Sequence, residues 1–311
     1  MLETTLGLIF DRNADSVDES DPTPKRQSLG MDELVQIPLM DSQPHAQFKR
    51  LSLLGMPVNA LGKDELLGLI VEAVHHQKRY VIGNHNLHSL YLARFEKRMR
   101  QFYSQADFAH VDGMSLILVG RLLGLPLTRR DRTTHMDFLP LLMRRASVAG
   151  WRIFYLGSKP GIAEKGATIL KARYPDLQIQ ARHGYFDALI GAHENRDVLE
   201  EIQSFNPHIL LVGMGMPRQE IWIVENRDRI EANTIFCCGA LMDYVAGEIP
   251  TPPRWLGQIG FEWLYRLIAE PRRLWRRYLV EPWFVMKILV REFVSSGRQN
   301  AASVDGDGPT S

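Results

Sequence analysis

Residues 151–173 read WRIFYLGSKPGIAEKGATILKAR. A short apolar and aromatic run ends in a loop bracketed by Gly157 and Gly161, and an amphipathic pattern of helical period follows at once. The run is too short for a helix, so the stretch predicts a strand, a tight turn and a helix. The same grammar recurs on both sides. RYVIGNHN (79–86) reads as a strand entering a polar loop, and DFAHVDG (107–113) as a strand and turn leading into a helix through SLILVGRLLG. LQIQARHGYFD (177–187) is a strand, DVLEEIQSFN (197–206) a helix and HILLVGMGMP (208–217) a strand with its turn. RQEIWIVENRDRI (218–230) is helical again, and NTIFCCGA (233–240) closes the series. Strands and helices alternating at this spacing predict an α/β fold, Rossmann-like, with a mostly parallel sheet covered by helices on both faces. Ligands of such sheets bind beyond the carboxyl ends of the strands. The loops after Ile82, Val111, Leu156 and Val212 are therefore where function is expected.

The 311 residues carry a formal charge of +1, which predicts no general attraction to nucleic acid, and a 45% hydrophobic content that supports a real core. Charge is unevenly spread. Residues 251–291 hold eight basic and three acidic side chains and four of the six tryptophans. The only cysteines, Cys237 and Cys238, are adjacent, a spacing that suits neither a zinc site nor an ordinary disulfide and fits a reducing cytoplasm. No basic segment followed by an apolar one opens the chain, so no leader is expected. No run reaches the roughly 18 to 20 apolar residues of a spanning helix.

These features divide the chain. Residues 1–48 are polar, acidic at 18–21 and poor in aromatics, and are expected to be disordered. Residues 49–247 are expected to form the α/β unit, 248–295 a basic and aromatic helical appendage, and 296–311 a loose tail.

Several loop residues are chemically suggestive. Gly157-Ser-Lys-Pro-Gly161 and Gly213-Met-Gly215-Met-Pro217 each precede a helix, whose free N–H groups favour phosphate. Neither has the full GxGxxG or GxxxxGK[ST] spacing, so a standard dinucleotide or P-loop site is unsupported, and both also serve as tight turns that need glycine. Gln219 and Glu220 fall in the first turn of the next helix, where composition favours a capping role over recognition of a sugar or base hydroxyl. Asn84 and Asn86, in the NHN loop, are turn formers whose amides also suit sugar hydroxyls. His85, His88, His110 and His135 lack the spacing of a metal cluster, and no metal ligand or cofactor is assigned. The Asp305-Gly-Asp307 pair lies in the tail and is discounted. A diphosphate held without a cation needs arginines, and Arg272, Arg273, Arg276 and Arg277 are the obvious supply. Interleaved with Trp and Tyr, the same residues suit the surface of an anionic membrane. Asp112 opens a helix, a position at which aspartate usually caps, yet it also ends a strand.

Taken in order, these blocks resemble the WecG/TagA/CpsF family of bacterial glycosyltransferases over roughly residues 50–292. The matching pieces are Asn86, Asp112-Gly-Met114, Arg132 with Asp137-Phe-Leu, FYLGSKPG, GMGMPRQEIW, GALMDYVAGEIPTPPRW and GFEWLYRLIAEPRRLWRRY. The resemblance implies a metal-independent, inverting transfer of sugar from a UDP-sugar to a polyprenyl-diphosphate-linked saccharide at the inner membrane face. It implies Asp112 as catalytic base and Asn86, Arg132 and Gln219 as lining the substrate pocket. With the loops read above, Asn84, Asp137, Gly157, Gly213, Gly215 and Glu220 are also expected to be substrate-binding. Arg266, Arg272, Arg273, Arg276 and Arg277 would meet the leaving group and the membrane. Where many members have Thr-x-Asn, this chain has Asn84-His-Asn86, and His135 replaces the common glycine of RVxG. Both changes weaken the carry-over of the N-acetylmannosamine specificity known for some members, and the NHNLHSLY variant looks more like exopolysaccharide members, with glucose or glucuronic acid as donor. The expected donor is thus UDP-linked glucose, glucuronic acid or an N-acetylmannosamine-type sugar. Two rival readings are a Rossmann-type NAD(P)-dependent oxidoreductase and a non-catalytic membrane-bound scaffold. The resemblance does not fix an oligomeric state.

Overall fold

The computed structural model describes residues 48–251, 256 and 262–291. The expectations for 1–48 (Phe48 aside) and 296–311, with Asp305 and Asp307, lie outside these residues. The described chain opens with an antiparallel hairpin, β1 (Arg50–Leu53) and β2 (Met56–Asn59), which the sequence reading did not foresee. Asn59 docks it: its amide donates to the carbonyl of Phe48 and its Oδ1 accepts from the amide of Ala109.

The expected doubly covered sheet follows. Six strands, β3 (Tyr80–His85), β4 (Phe108–Val111), β5 (Arg152–Gly157), β6 (Gln178–Arg182), β7 (Ile209–Gly213) and β8 (Thr234–Cys237), stand in the order β4-β3-β8-β7-β5-β6, all parallel. Alternate side chains go to opposite cores, as the pleat demands. Phe154, Leu156, Leu210 and Val212 enter the core on one face, while Ile153, Tyr155, Ile209 and Leu211 enter that on the other.

The first face is covered by α2 (Leu87–Phe95), α3 (Lys97–Gln105), α4 (Met114–Leu122), α7 (His193–Phe205) and α8 (Arg218–Asn226). The second is covered by α1 (Lys63–His75), α5 (His135–Ala149), α6 (Ile162–Arg173) and α9 (Leu241–Val245). After β5 the chain crosses by α6 on the second face to β6; after β7 it crosses by α8 on the first face to β8. These opposite departures from neighbouring strands make a topological switch point at the carboxyl ends of β5 and β7.

The C-terminal helices are α10 (Glu262–Ala269), α11 (Pro271–Trp275) and a π-helical turn over Arg276–Val280, with helical backbone continuing through 291. They lean on α2. His88 pairs with the buried Glu281 at 2.8 Å, Phe284 packs between Tyr91 and Phe95, and Leu289 joins the first core. Among the described residues no helix is long and apolar enough to cross a membrane.

Candidate active site

At the switch point the backbones of β5 and β7 are in contact. Gly157 and Gly213 are register partners, and a Cβ on Gly157 would fall 2.3 Å from the carbonyl oxygen of Gly213. A Cβ on Gly213 would meet the Tyr155 hydroxyl at 2.3 Å and the carbonyl of Gly239 at 2.5 Å. Ser158, held at a φ of 56°, donates to Asp243 Oδ2 at 2.7 Å and shares a 2.8 Å hydrogen bond with the Tyr155 hydroxyl. The Ser158–Asp243 bond was not foreseen, because its two partners lie 85 positions apart in sequence.

Gln219 does not cap its helix. Pro217 takes that position, and the Gln219 side chain is fully buried. Its Oε1 accepts from the amides of Gly215 and Gly239, tying the loop after β7 to the loop after β8. Its Nε2 donates to Glu220 Oε1 at 2.8 Å. Burial raises the Glu220 carboxyl from an ordinary 4.5 to about 7, against the opposing hydrogen bond from Gln219. Gln219 and Glu220 thus set the shape of the edge from beneath.

The other half of the edge lies at β3 and β4. Asn84 and His85 belong to β3 itself, correcting their placement in a loop. His85 is sealed between Ser89 and the Pro57 carbonyl, and burial lowers its pKa from 6.5 to about 3. Since the carbonyl can only accept, Nε2–H must be the donor and Nδ1 the bare acceptor. Asn86 caps α2 through a reciprocal box with Ser89.

Asp112 follows β4 directly. Its amide donates to the carbonyl of His85, and its own carbonyl accepts from Arg132 Nε at 3.2 Å. The N-cap of α4 is Gly113, one residue on, so the Asp112 carboxylate is not spent on starting the helix. Asp137, exposed, accepts from Thr134 at the start of α5, a capping role.

The carboxylate of Asp112 lies in the electrostatic reach of Tyr244, His135, Arg266 and Arg277. Arg266 lies over the Tyr244 ring, 5.8 Å from its centroid. Burial works against the Arg266 charge, but Tyr244, Tyr278, Asp112 and Glu270 outweigh it, and its pKa rises. For Arg277 burial wins, aided by Arg266, and the pKa falls, though Tyr278, Glu281 and Asp112 oppose. The five arginines expected to share the leaving-group and membrane roles differ in their surroundings. Arg266 and Arg277 face Asp112, whereas Arg272, Arg273 and Arg276 are exposed, with Arg273 paired to Glu270 and Arg276 over the Trp275 ring.

Fold and edge together define an α/β protein whose polar loops and glycine turns gather at the carboxyl ends of its parallel strands. A model of the glycosyl transferase WecG/TagA/CpsF family matches residues 51–299, and the chain belongs to that family of glycosyltransferases. Similar relatives include the N-acetylglucosaminyldiphosphoundecaprenol N-acetyl-beta-D-mannosaminyltransferase of Bacillus spizizenii. It is 28% identical over 199 residues, covering 64% of this chain and 74% of the relative. A protein of the same name from Staphylococcus aureus is 27% identical over 188 residues, covering 60% and 71%. The oxidoreductase and scaffold readings give way to this membership.

Proposed function

We propose that the chain transfers a hexose from a UDP-sugar to a polyprenyl-diphosphate-linked saccharide, with inversion, and that Asp112 is the base. The observation that carries this reading is the Asp112 carboxylate, unengaged in the α4 cap, at a strand end and facing Arg266 and Arg277. The acceptor hydroxyl attacks the anomeric carbon, its proton passes to Asp112, and the bond to UDP breaks with the electron pair leaving on phosphate. Arg266 and Arg277 are the groups suited to the developing diphosphate charge. The switch point between β5 and β7 is the natural seat of the nucleotide. β4 stands three positions from β7, about 14 Å at ordinary strand spacing, so an extended donor can span both halves of the edge.

The acceptor follows from the relatives' names, which specify a diphosphoundecaprenol-linked sugar. The donor is glucose, glucuronic acid or an N-acetylmannosamine-type sugar, in exopolysaccharide or other surface polysaccharide assembly. Residues 49–247 form the catalytic unit and 248–295 the appendage. The exposed Trp275, Trp283 and Ile268, with Arg272, Arg273 and Arg276, are the surface that meets the inner membrane face.

The test is a panel of UDP-hexoses incubated with polyprenyl-diphosphate-linked glucose and N-acetylglucosamine, with UDP release and the glycolipid product both followed. One hexose is expected to give UDP and extended glycolipid in equal amounts. UDP release without acceptor extension, or no reaction across the panel, defeats the reading.

A further inference from the structure

On the second face of the sheet, three polar side chains converge at the carboxyl ends of β3 and β4. Asn84 and His110 are register partners on neighbouring strands, so they project to the same side, and Asp112 follows the end of β4, two residues after His110. His135, the first residue of α5, completes the group, its ring meeting His110 edge-on at 5.7 Å between centroids. Phe236 stacks on His110 and closes the floor. α5 is brought here by the segment before it, where Arg132 Nε donates to the carbonyl of Asp112 and the Thr133 amide to that of Val111.

What distinguishes this corner is unmet hydrogen bonding. Among the described residues, neither ring nitrogen of His135 has a hydrogen-bond partner, and the Asn84 Oδ1 has none, although all three atoms are buried. His110 lies against the backbone of Val111 and Thr133, without a bond of ordinary geometry. Groups of this kind normally find partners, and several unmet ones in a single corner mark a place made for something else. Burial favours the uncharged form of His135 against the opposing pull of Asp112. A neutral imidazole offers one donor and one acceptor, the complement of a sugar hydroxyl, which also has one of each. Apolar ligands would leave those groups unpaired, and phosphate would offer the ring acceptor nothing.

We propose that His135, backed by His110 and joined by Asn84, is a specificity-determining residue that hydrogen-bonds a sugar hydroxyl beside the reacting bond. The inference rests on the transferase reading above, and it holds for a hydroxyl of either the donor hexose or the acceptor saccharide.

The experiment uses the full chain, as wild type, His135→Ala and His135→Gln, with intact and singly deoxygenated UDP-hexoses and lipid-linked acceptors. Affinity for UDP and thermal unfolding are measured alongside. For wild type, removal of one particular hydroxyl is expected to lower kcat/KM about 10-fold or more, and His135→Ala to lower it similarly with the intact sugar. With both changes together the losses should not multiply, because they remove the same bond. His135→Gln, which keeps a donor and an acceptor, should recover part of the rate, and UDP affinity should stay unchanged. A deoxy-donor showing the effect places the hydroxyl on the transferred sugar, and a deoxy-acceptor places it on the acceptor. Independent, multiplying losses for every hydroxyl overturn the inference while leaving the transferase reading intact. Absence of transfer by wild type overturns both.

Discussion

Gly157 and Gly213 pair in register at the ends of β5 and β7, with the Gly213 carbonyl where a Gly157 side chain would begin. Two backbones meet with no room between them, and the third neighbour, Gly239, closes on Gly213 from β8. The glycines here are required by approach of backbone to backbone, since no positive φ is recorded for Gly157 or Gly213.

Gly157→Ala is accordingly expected to destabilise the fold by about 1–3 kcal/mol or more, because backbone cannot step aside as a side chain would. Gly124, with a φ of 75° but no described atom within 4 Å of a built Cβ, makes the comparison. Gly124→Ala meets only the left-handed backbone preference, at roughly 1–2 kcal/mol. Urea unfolding of both variants checks the order. Equal losses would show that packing at the switch point is not tight.

Glu220 predicts a pH effect of definite sign. In the folded chain it keeps its proton up to about pH 7, and in the unfolded chain it loses it near 4.5. Between those values the folded state binds more protons, so this group's contribution is full below about pH 4.5 and declines as pH rises through 7. The shift corresponds to roughly 3 kcal/mol. The buried His85 slopes the opposite way, holding stability above 6.5 and losing it as pH falls towards about 3. The difference between wild type and Glu220→Gln isolates the carboxyl. The variant should gain on wild type in denaturant midpoint from pH 5 to about pH 7 and level off above it; a constant difference across that window refutes the assignment.

The exposed arginines predict a separation of binding from chemistry. Replacing Arg272, Arg273 and Arg276 together by Gln should weaken sedimentation with anionic vesicles, at about 1 kcal/mol per charge, and the loss should shrink in high salt. Turnover with a detergent-solubilised acceptor should hold near wild type. Arg266→Gln should do the reverse, since Arg266 lies within electrostatic reach of Asp112. Parallel losses in both assays for both variants would mean that the five arginines act as one patch.

Much of this frame was legible because it rests on periodicity. The buried strands IFYL and ILLV announce themselves by composition, and their glycine loops mark the working edge. The hairpin at 50–59 was missed since its strands are only four residues long and are held by contacts distant in sequence, such as Asn59 to Ala109 and Pro57 to His85. Gln219 was misread for a similar reason. A glutamine in a first turn resembles a cap, and only the folded chain shows it bridging amides 4 and 20 residues away. His110 and His135 are 25 positions apart in sequence, and the parallel crossover that joins them has no local signature.

Asp112 is where position and chemistry are most easily confused, and its local geometry separates them. A capping aspartate loses an N-terminal hydrogen bond when replaced, typically at a cost of about 1 kcal/mol. Here Gly113 is the cap, while the backbone of Asp112 is held independently by His85 and Arg132. Asp112→Asn should therefore leave unfolding within roughly 0.5 kcal/mol of wild type. It removes a negative charge from beside Arg266 and Arg277, so UDP affinity should hold or rise slightly. Turnover should fall by about 10²- to 10⁴-fold, the usual contribution of a general base. Calorimetric UDP titration, denaturant unfolding and a product assay on one preparation give all three readings. A variant that loses stability and keeps its rate would return Asp112 to the role of a helix-starting residue and move the base elsewhere along the edge.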